Sequence, residues 1–254
     1  MKVIMMLADG MRPDALADIP VAQEIMKKSA CTLSAGTVFP SVTLPCHVSL
    51  FHSVTPERHG TTTNVYMPQV RPIRGLCEVL KDFNKRSAFF YNWEDIRDVS
   101  RPNSLTRSSF YSGRRLGYKE AGEMLTDEAI DYLKKFDTDF TFVYFGLSDW
   151  AGHNFGWMSE EYMQALRDSW NNMKKIMEAL GDEYTYIITS DHGGHDRTHG
   201  FDIPEDMTIP IIINGEGFEA GSEIGEANII DIAPTITKLL GVIPDEDWEG
   251  RSLI

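Results

Sequence analysis

The stretch from Tyr184 to His199 places the strongest constraint on how this chain can fold. Tyr184-Thr-Tyr-Ile-Ile-Thr189 is an uncharged run dominated by β-branched and aromatic residues. A run of that kind belongs to a strand covered on both faces. It breaks off at Asp191-His192-Gly193-Gly194, with His195 and His199 close behind. Four residues of the types that hold transition metals therefore crowd the point where a buried strand leaves its sheet. The chain has seven histidines in all, so three in one short segment are a concentration. Such a segment is half of a metal site, and the other half has to come from elsewhere in the chain.

Two more buried runs end in the same way. Val3 to Ala8 stops at Asp9-Gly10-Met11-Arg12-Pro13-Asp14, and Phe140 to Leu147 stops at Ser148-Asp149-Trp150-Ala151-Gly152-His153. Asp149 and His153 are four apart, a spacing that one helical turn brings to one face. Open parallel sheets place their ligands beyond the carboxyl ends of the strands, so the three tips converge if the sheet is parallel. Asp9 by itself reads equally well as a helix cap, and Arg12 as a partner for Asp14. Between these strands the pattern predicts helices over 20–29, 75–85, 118–136 and 159–180, the last capped by Ser159, and a helix begun by Pro234 and stopped by Gly241. Further strands are predicted at Cys31–Val38, Ser87–Tyr91 and Thr208–Ile213. Strands alternating with helices over 254 residues imply one domain, 1–254, an α/β fold built as a three-layer α/β/α sandwich with a mostly parallel central sheet.

The segment Phe39-Pro-Ser-Val-Thr43-Leu-Pro45-Cys46-His47 contributes a hydroxyl. Pro45 suits the first turn of a helix, which puts Thr43 at or just before the N-terminus, where the dipole favours an anion. Thr43 is then either an ordinary N-cap or a reactive group, and Cys46 in the same turn is a rival nucleophile. His47, His52 and His59 read as hydrogen-bonded structural residues. Asn64, in a polar loop, either shapes a turn or offers its amide to a substrate oxygen.

Charge narrows the functional classes. A net charge of −14 disfavours binding to a nucleic-acid polymer. Against that background, 11 of the 24 Lys and Arg residues lie between Arg71 and Lys119, beside five acids. Residues 93–117, rich in Arg, Ser, Gly and aromatics, read as a small cap insertion suited to a small anionic substrate with a flat group to stack, or as a solvated loop. No apolar run approaches the roughly 20 residues of a membrane span. The start lacks a signal-peptide pattern, and three scattered cysteines fit reduced thiols, so a cytoplasmic location is expected.

Together the strand tips and neighbouring segments supply Asp9, Asp149, Asp191, His153, His192, His199 and Thr43, enough for two divalent cations. Mixed N/O ligands without thiolate favour Zn, with Mn or Fe as alternatives. In order and joint presence, these motifs resemble the alkaline phosphatase superfamily, in particular its nucleotide pyrophosphatase/phosphodiesterase branch. The resemblance runs from Asp9-Gly-Met-Arg-Pro-Asp14 through Thr43-Leu-Pro-Cys-His47, His59-Gly60 with Asn64, Asp149 to Gly156, Asp191-His-Gly-Gly and Asp231-Ile-Ala-Pro-Thr235 to Glu249-Gly-Arg-Ser-Leu253. It implies that Asp9, Thr43, Asp191 and His192 hold one metal and Asp149, His153 and His199 the other. His195 is the alternative to His199, whose His-Gly-Phe-Asp context fits the family better. It implies further that Thr43 is the nucleophile of a phosphodiesterase or nucleotide pyrophosphatase, passing through a phosphothreonine, with Asn64 on the phosphoryl oxygens. A phosphomonoesterase, a phosphonate hydrolase, or a metal-free binding protein on the same scaffold are the alternatives. The branch usually carries Asn where this chain has Cys46. The related sulfatases need Cys or Ser at position 43 and Arg at position 47, and this chain has neither.

Overall fold

The computed structural model describes residues 1–254. A seven-stranded sheet runs through the molecule: β1 (Lys2–Ala8), β2 (Ala30–Gly36), β3 (Ser87–Tyr91), β4 (Arg107–Phe110), β5 (Phe140–Phe145), β6 (Tyr184–Thr189) and β7 (Thr208–Asn214), in the order β2-β7-β6-β1-β5-β3-β4. From β6 to β4 the neighbours are parallel, whereas β7 is antiparallel to both β6 and β2. The sheet is thus mostly parallel. The connections carry helices α1 (Pro20–Met26), α2 (Thr43–His52), α3 (Pro56–His59), α4 (Leu76–Asp82), α5 (Gly113–Leu116), α6 (Tyr118–Leu133), α7 (Leu147–Phe155), α8 (Glu160–Leu180), α9 (Pro204–Met207) and α10 (Ile232–Leu239).

Alternation along the strands builds two cores, because successive side chains point to opposite faces. Val3, Met5 and Leu7 join Leu44, Val48 and Phe51 of α2, Leu80 of α4 and Ile236 of α10 on one face. Ile4, Met6 and Ala8 join Leu125 of α6, Ala151 of α7 and Leu166, Trp170 and Met173 of α8 on the other. With apolar partners on both faces, β1, β5 and β6 need the continuous hydrophobic runs seen in the sequence. The long helix α8 begins where expected, with the Ser159 hydroxyl accepting the Tyr162 N–H at 3.2 Å.

The middle of the sheet decides where the site falls. β1 lies between β5 and β6, with Ala8 level with Phe145 and Leu7 level with Thr189. The chain therefore leaves all three strands on one edge, and Asp9, Asp149 and Asp191 emerge side by side.

Part of the expected cap is sheet instead. Arg107–Phe110 pairs in parallel with β3 as the edge strand. It is short and mostly exposed, so no buried run marked it, and pairing with β3 alone makes it a strand. Leu147, placed at a strand end by its apolar side chain, opens α7.

The turn after β6 explains the paired glycines. Gly193 and Gly194 donate their N–H groups to the carbonyls of Asp206 and Glu205 at 2.9 and 2.8 Å. A Cβ on Gly193 would lie 2.0 Å from the Glu205 oxygen, and one on Gly194 2.2 Å from the Trp157 ring. Backbone passes too close for any side chain. Gly193→Ala is expected to cost about 1–3 kcal/mol, as overpacking does, and to lower Tm by about 5 °C on a chain of this size. Thermal unfolding monitored by circular dichroism checks this, and an unchanged Tm would show that the turn is not closely packed.

Candidate metal centre

Each candidate side chain reaches the site from a different element. Asp9 follows directly on β1, and Asp191 follows β6 with one residue between. Asp149 and His153 lie one turn apart on α7, His192 follows Asp191, and His199 comes in on the loop before α9. His192 Nε2 lies 3.3 Å from both Asp9 Oδ1 and Asp191 Oδ2 and 3.2 Å from Thr43 Oγ1. Asp149 Oδ1 lies 3.4 Å from His153 Nε2 and 3.6 Å from His199 Nε2. The rings of His192 and His199 stack at 3.8 Å between centroids and join the two groups. Ligand atoms of Asp149, His153 and His199 fall within 4.8 Å of one another, as do those of Asp9, Asp149 and His192. Asp149 thus stands between the two sets, where the sequence had placed it in one.

The histidine tautomers follow from their partners. Nδ1 of His192 faces the Gly193 carbonyl at 2.7 Å, that of His199 the Ser41 carbonyl at 2.8 Å, and that of His153 the Arg197 carbonyl at 3.0 Å. A carbonyl only accepts, so each Nδ1 carries the proton and each Nε2 turns a lone pair inward. The carboxylates are held in a similar way. The Tyr144 hydroxyl donates to Asp9 Oδ2, and the Gly10 N–H donates to Asp191 Oδ1 at 3.2 Å. Asp9 Oδ1, Asp191 Oδ2 and Asp149 Oδ1 are left buried with no hydrogen-bond donor. Buried acceptors facing other acceptors repel, and bound cations relieve that repulsion. Backbone carbonyls that orient imidazoles are the usual support for metal ligands. The residues fit divalent metal.

Protonation agrees with that reading. Burial, followed by the charges of Asp191 and Asp149, pushes the Asp9 carboxyl well up; burial also raises Asp191. Asp149 is pushed up to about 7, mainly by burial. Burial lowers His192 to about 3 and, with His192 beside it, His199 to about 3, so both rings are neutral at physiological pH. The site grades from a closed end at Asp191 and His192 to an open one, where the side chains of Asp149 and His153 are 19% and 42% exposed.

Thr43 is the first residue of α2 and is buried. The helix end offers an anion less than the sequence promised. Pro45 has no N–H, the Cys46 N–H is bound to the Val42 carbonyl, and the Leu44 N–H is taken at 2.9 Å by Asn64 Oδ1. With its carbonyl fixed there, Asn64 has its amide NH2 left to give. Cys46 does not compete with Thr43. It is fully buried in the core, its thiol raised by burial, and its sulfur accepts from Thr37 Oγ1 at 3.4 Å. His195 stands apart, 2.8 Å from Asp206 Oδ1. One participant went unnoticed in the sequence, and a second, His47, was read only as a hydrogen-bonded structural residue. Tyr144 anchors Asp9, and its signal was a tyrosine inside a buried strand, whose hydroxyl must find a partner. His47 donates Nδ1–H to the Thr43 carbonyl at 2.7 Å and lies 3.6 Å from Asp191 Oδ2; nothing in its spacing set it apart from His52 or His59.

Comparison with known proteins now has a geometry to meet. Residues 93–244 match the family model described as metalloenzyme superfamily, and residues 3–78 the model of type I phosphodiesterase/nucleotide pyrophosphatase. A 2,3-bisphosphoglycerate-independent phosphoglycerate mutase of Staphylococcus aureus is 32% identical over 135 residues, 50% of this chain and 26% of the mutase. The chain thus spans about a quarter of the length of that relative. Among solved structures, human ectonucleotide pyrophosphatase/phosphodiesterase 5 superposes with a TM-score of 0.83 at 14% identity, covering 98% of this chain and 97% of that one. Phosphonate monoester hydrolase of Agrobacterium radiobacter gives 0.76 at 16%, covering 99% and 76%. A 2-O GAG sulfatase gives 0.79 at 12%, covering 99% and 73%. The chain belongs to the metalloenzyme superfamily. That membership agrees with the resemblance read from the motifs, and the match over residues 3–78 points to its phosphodiesterase/nucleotide pyrophosphatase side. No helix is long and apolar enough to cross a membrane.

Metal uptake has a definite pH dependence. In the metal-free protein Asp149 is protonated below about 7 and must lose that proton to bind a cation, whereas His192 and His199 are already neutral. Asp9 and Asp191, also raised by burial, release protons as well, so affinity for Zn2+ is expected to fall by at least about tenfold for each pH unit below 7. Chelator competition between pH 5.5 and 8 measures this, and a flat profile would show that Asp149 is not a ligand.

Proposed function

We propose that this protein is a two-metal hydrolase of phosphate esters, a phosphodiesterase or nucleotide pyrophosphatase that works through Thr43. One observation carries the reading. The Thr43 hydroxyl, at the start of a helix, lies 3.2 Å from the inward-facing Nε2 of His192, beside buried carboxylate oxygens that have no donor. Asp9, Asp191, His192 and Thr43 would hold one cation and Asp149, His153 and His199 the other, with Zn2+ best suited to the donors. When bound, such cations lower the pKa of a coordinated hydroxyl and stabilise charge on a departing oxygen.

The chain's own residues supply the rest. Thr43 Oγ loses its proton and forms a bond to phosphorus, while the bond from phosphorus to the leaving oxygen breaks and that oxygen departs with the electron pair. Water then cleaves the phosphothreonine and restores the hydroxyl. The Asn64 NH2 and the Thr43 N–H meet the non-bridging oxygens, where charge builds up. His47 fixes the Thr43 carbonyl, and with it the direction of the hydroxyl, through its 2.7 Å bond.

Several facts support a phosphoryl substrate. The N-terminal stretch that contains Thr43 matches the phosphodiesterase/nucleotide pyrophosphatase model. One structural neighbour is an inactive threonine-to-alanine variant of the murine ectonucleotide pyrophosphatase/phosphodiesterase 5 in complex with AMP. Threonine at position 43 and histidine at position 47 leave out the residues that sulfatases need. A phosphomonoesterase or phosphonate hydrolase is the second reading, favoured by the likeness to a phosphonate monoester hydrolase. Three free thiols, two of them buried, fit a reducing cytoplasm.

Thr43→Ala is expected to lower kcat/KM by at least about a thousandfold, as loss of a nucleophile does, while metal content per chain stays at the wild-type value. Wild-type protein should turn over bis-p-nitrophenyl phosphate faster than p-nitrophenyl phosphate and lose both activities with chelator. Retained activity in the Thr43 variant would rule out the nucleophile. A preference for the monoester would favour the second reading.

A further inference from the structure

A cavity of about 170 Å3 lies away from the metal centre, between α2, α4 and the loop that runs from Thr61 to Ile73. None of the candidate metal ligands lines it. His52, on its wall, is the last residue of α2, about 14 Å along the helix from Thr43 at 1.5 Å per residue. The cavity is smaller than the roughly 300–1,000 Å3 of sites for drug-sized ligands, which limits its occupant to a small molecule.

Three polar groups on the wall lack the partner their chemistry calls for. His52 is 4% exposed, and its Nδ1–H is spent on the Val48 carbonyl at 3.0 Å. Burial pushes its pKa down to about 4, so the ring is neutral and Nε2 presents a lone pair to which no protein group donates. Glu78 accepts the Gly75 N–H at 2.7 Å and forms no ion pair, and burial raises its carboxyl. These two acceptors are neighbours. A Cβ on Gly75 would lie 3.1 Å from His52 Nε2 and 3.2 Å from Glu78 Oε2, so glycine leaves the space beside both open. Arg101 forms no ion pair either: its Nη1 donates to the Tyr66 hydroxyl, and its guanidinium lies 5.7 Å from the centre of that ring. Its charge lowers the pKa of both His52 and Glu78, so it stands near both. Asp98, the other acid on the wall, is turned to Arg97 at 3.8 Å. Val48, Met67, Pro72 and Ile73 supply apolar surface.

A neutral imidazole acceptor beside a carboxylate calls for an ammonium, and an unpaired guanidinium calls for a carboxylate. A metal ion is a poorer match, because the sets of His and carboxylate atoms that close to within 4.8 Å lie at the metal centre. We propose that this cavity binds a small aliphatic α-amino acid, with its ammonium on His52 and Glu78, its carboxylate on Arg101 and its side chain against Val48 and Ile73. Opposite charges on the ligand then meet opposite charges on the wall, and the buried acceptors gain the donors they lack. The site is separate from the metal centre and does not depend on what is hydrolysed there.

L-Valine titrated calorimetrically into the metal-loaded full chain should show one saturable site per chain. Isobutylamine and 3-methylbutanoate, which are L-valine without its carboxylate and without its ammonium, should each bind at least about tenfold more weakly, the worth of one charged contact. Glu78→Gln keeps an acceptor for the Gly75 N–H and removes the charge, and Arg101→Ala changes an exposed residue, so both variants should fold. Each should weaken L-valine binding about tenfold. Absence of saturable L-valine binding would overturn the proposal, as would equal binding of the amine or of the acid. So would an affinity unmoved in either variant, the result expected if the bound metals and not the cavity held the amino acid.

Discussion

Three carboxylates meeting at one edge of the sheet are the constraint on which the rest of the structure depends. Two like charges about 4 Å apart repel by roughly 4 kcal/mol at the effective dielectric of a protein surface, and more when buried. Here Asp9 and Asp191 are buried, Asp149 stands next to them, and each has an oxygen without a donor. The fold does nothing to relieve this with Lys or Arg. Instead it fixes the remaining atoms so that the unsatisfied ones stay aimed inward: Tyr144 and the Gly10 N–H hold one oxygen of Asp9 and of Asp191, and backbone carbonyls hold the imidazoles. Stability has been given up locally to keep a place for positive charge, as is common where strain serves function.

The central strands and the site were readable for the same physical reason. A strand buried on both faces must be apolar throughout, so an abrupt carboxylate marks its exit, and three such exits in a parallel sheet have to be neighbours. Asp9, Asp149 and Asp191 could be placed together without coordinates on that logic alone. The spacing of Asp149 and His153 was also legible, because one helical turn or a tight loop brings residues four apart together. Periodicity also set α8 to the residue at its start, through Ser159.

What escaped the sequence depends on pairings across long separations. Arg107–Phe110 has no hydrophobic run of its own and becomes a strand only because β3 offers an open edge. Tyr144 reaches Asp9 across 135 positions, and the Asn64 carbonyl reaches Leu44 from a loop whose path no local pattern describes. The helix-terminus argument for Thr43 was right about position and overstated the donors. Pro45 has no N–H, Val42 and Asn64 occupy those of Cys46 and Leu44, and the proposed reaction is left with the Thr43 N–H and the Asn64 amide.

The gradient of burial across the site has its own consequence for the proposed chemistry. Asp191 and His192 are closed to solvent, so a cation between them and Thr43 would be stripped of most of its water and held by protein atoms. His153, open at the other end, leaves room for a group that arrives and departs. A nucleophile needs fixed geometry, whereas a leaving group needs an exit, and the two ends differ in that sense. The asymmetry comes from topology. His192 follows a central strand, covered on both faces, whereas His153 sits on the last turn of α7, whose outer side is exposed at Trp150. In the proposed reaction the hydroxyl acts from the closed side, and the products leave by the open one.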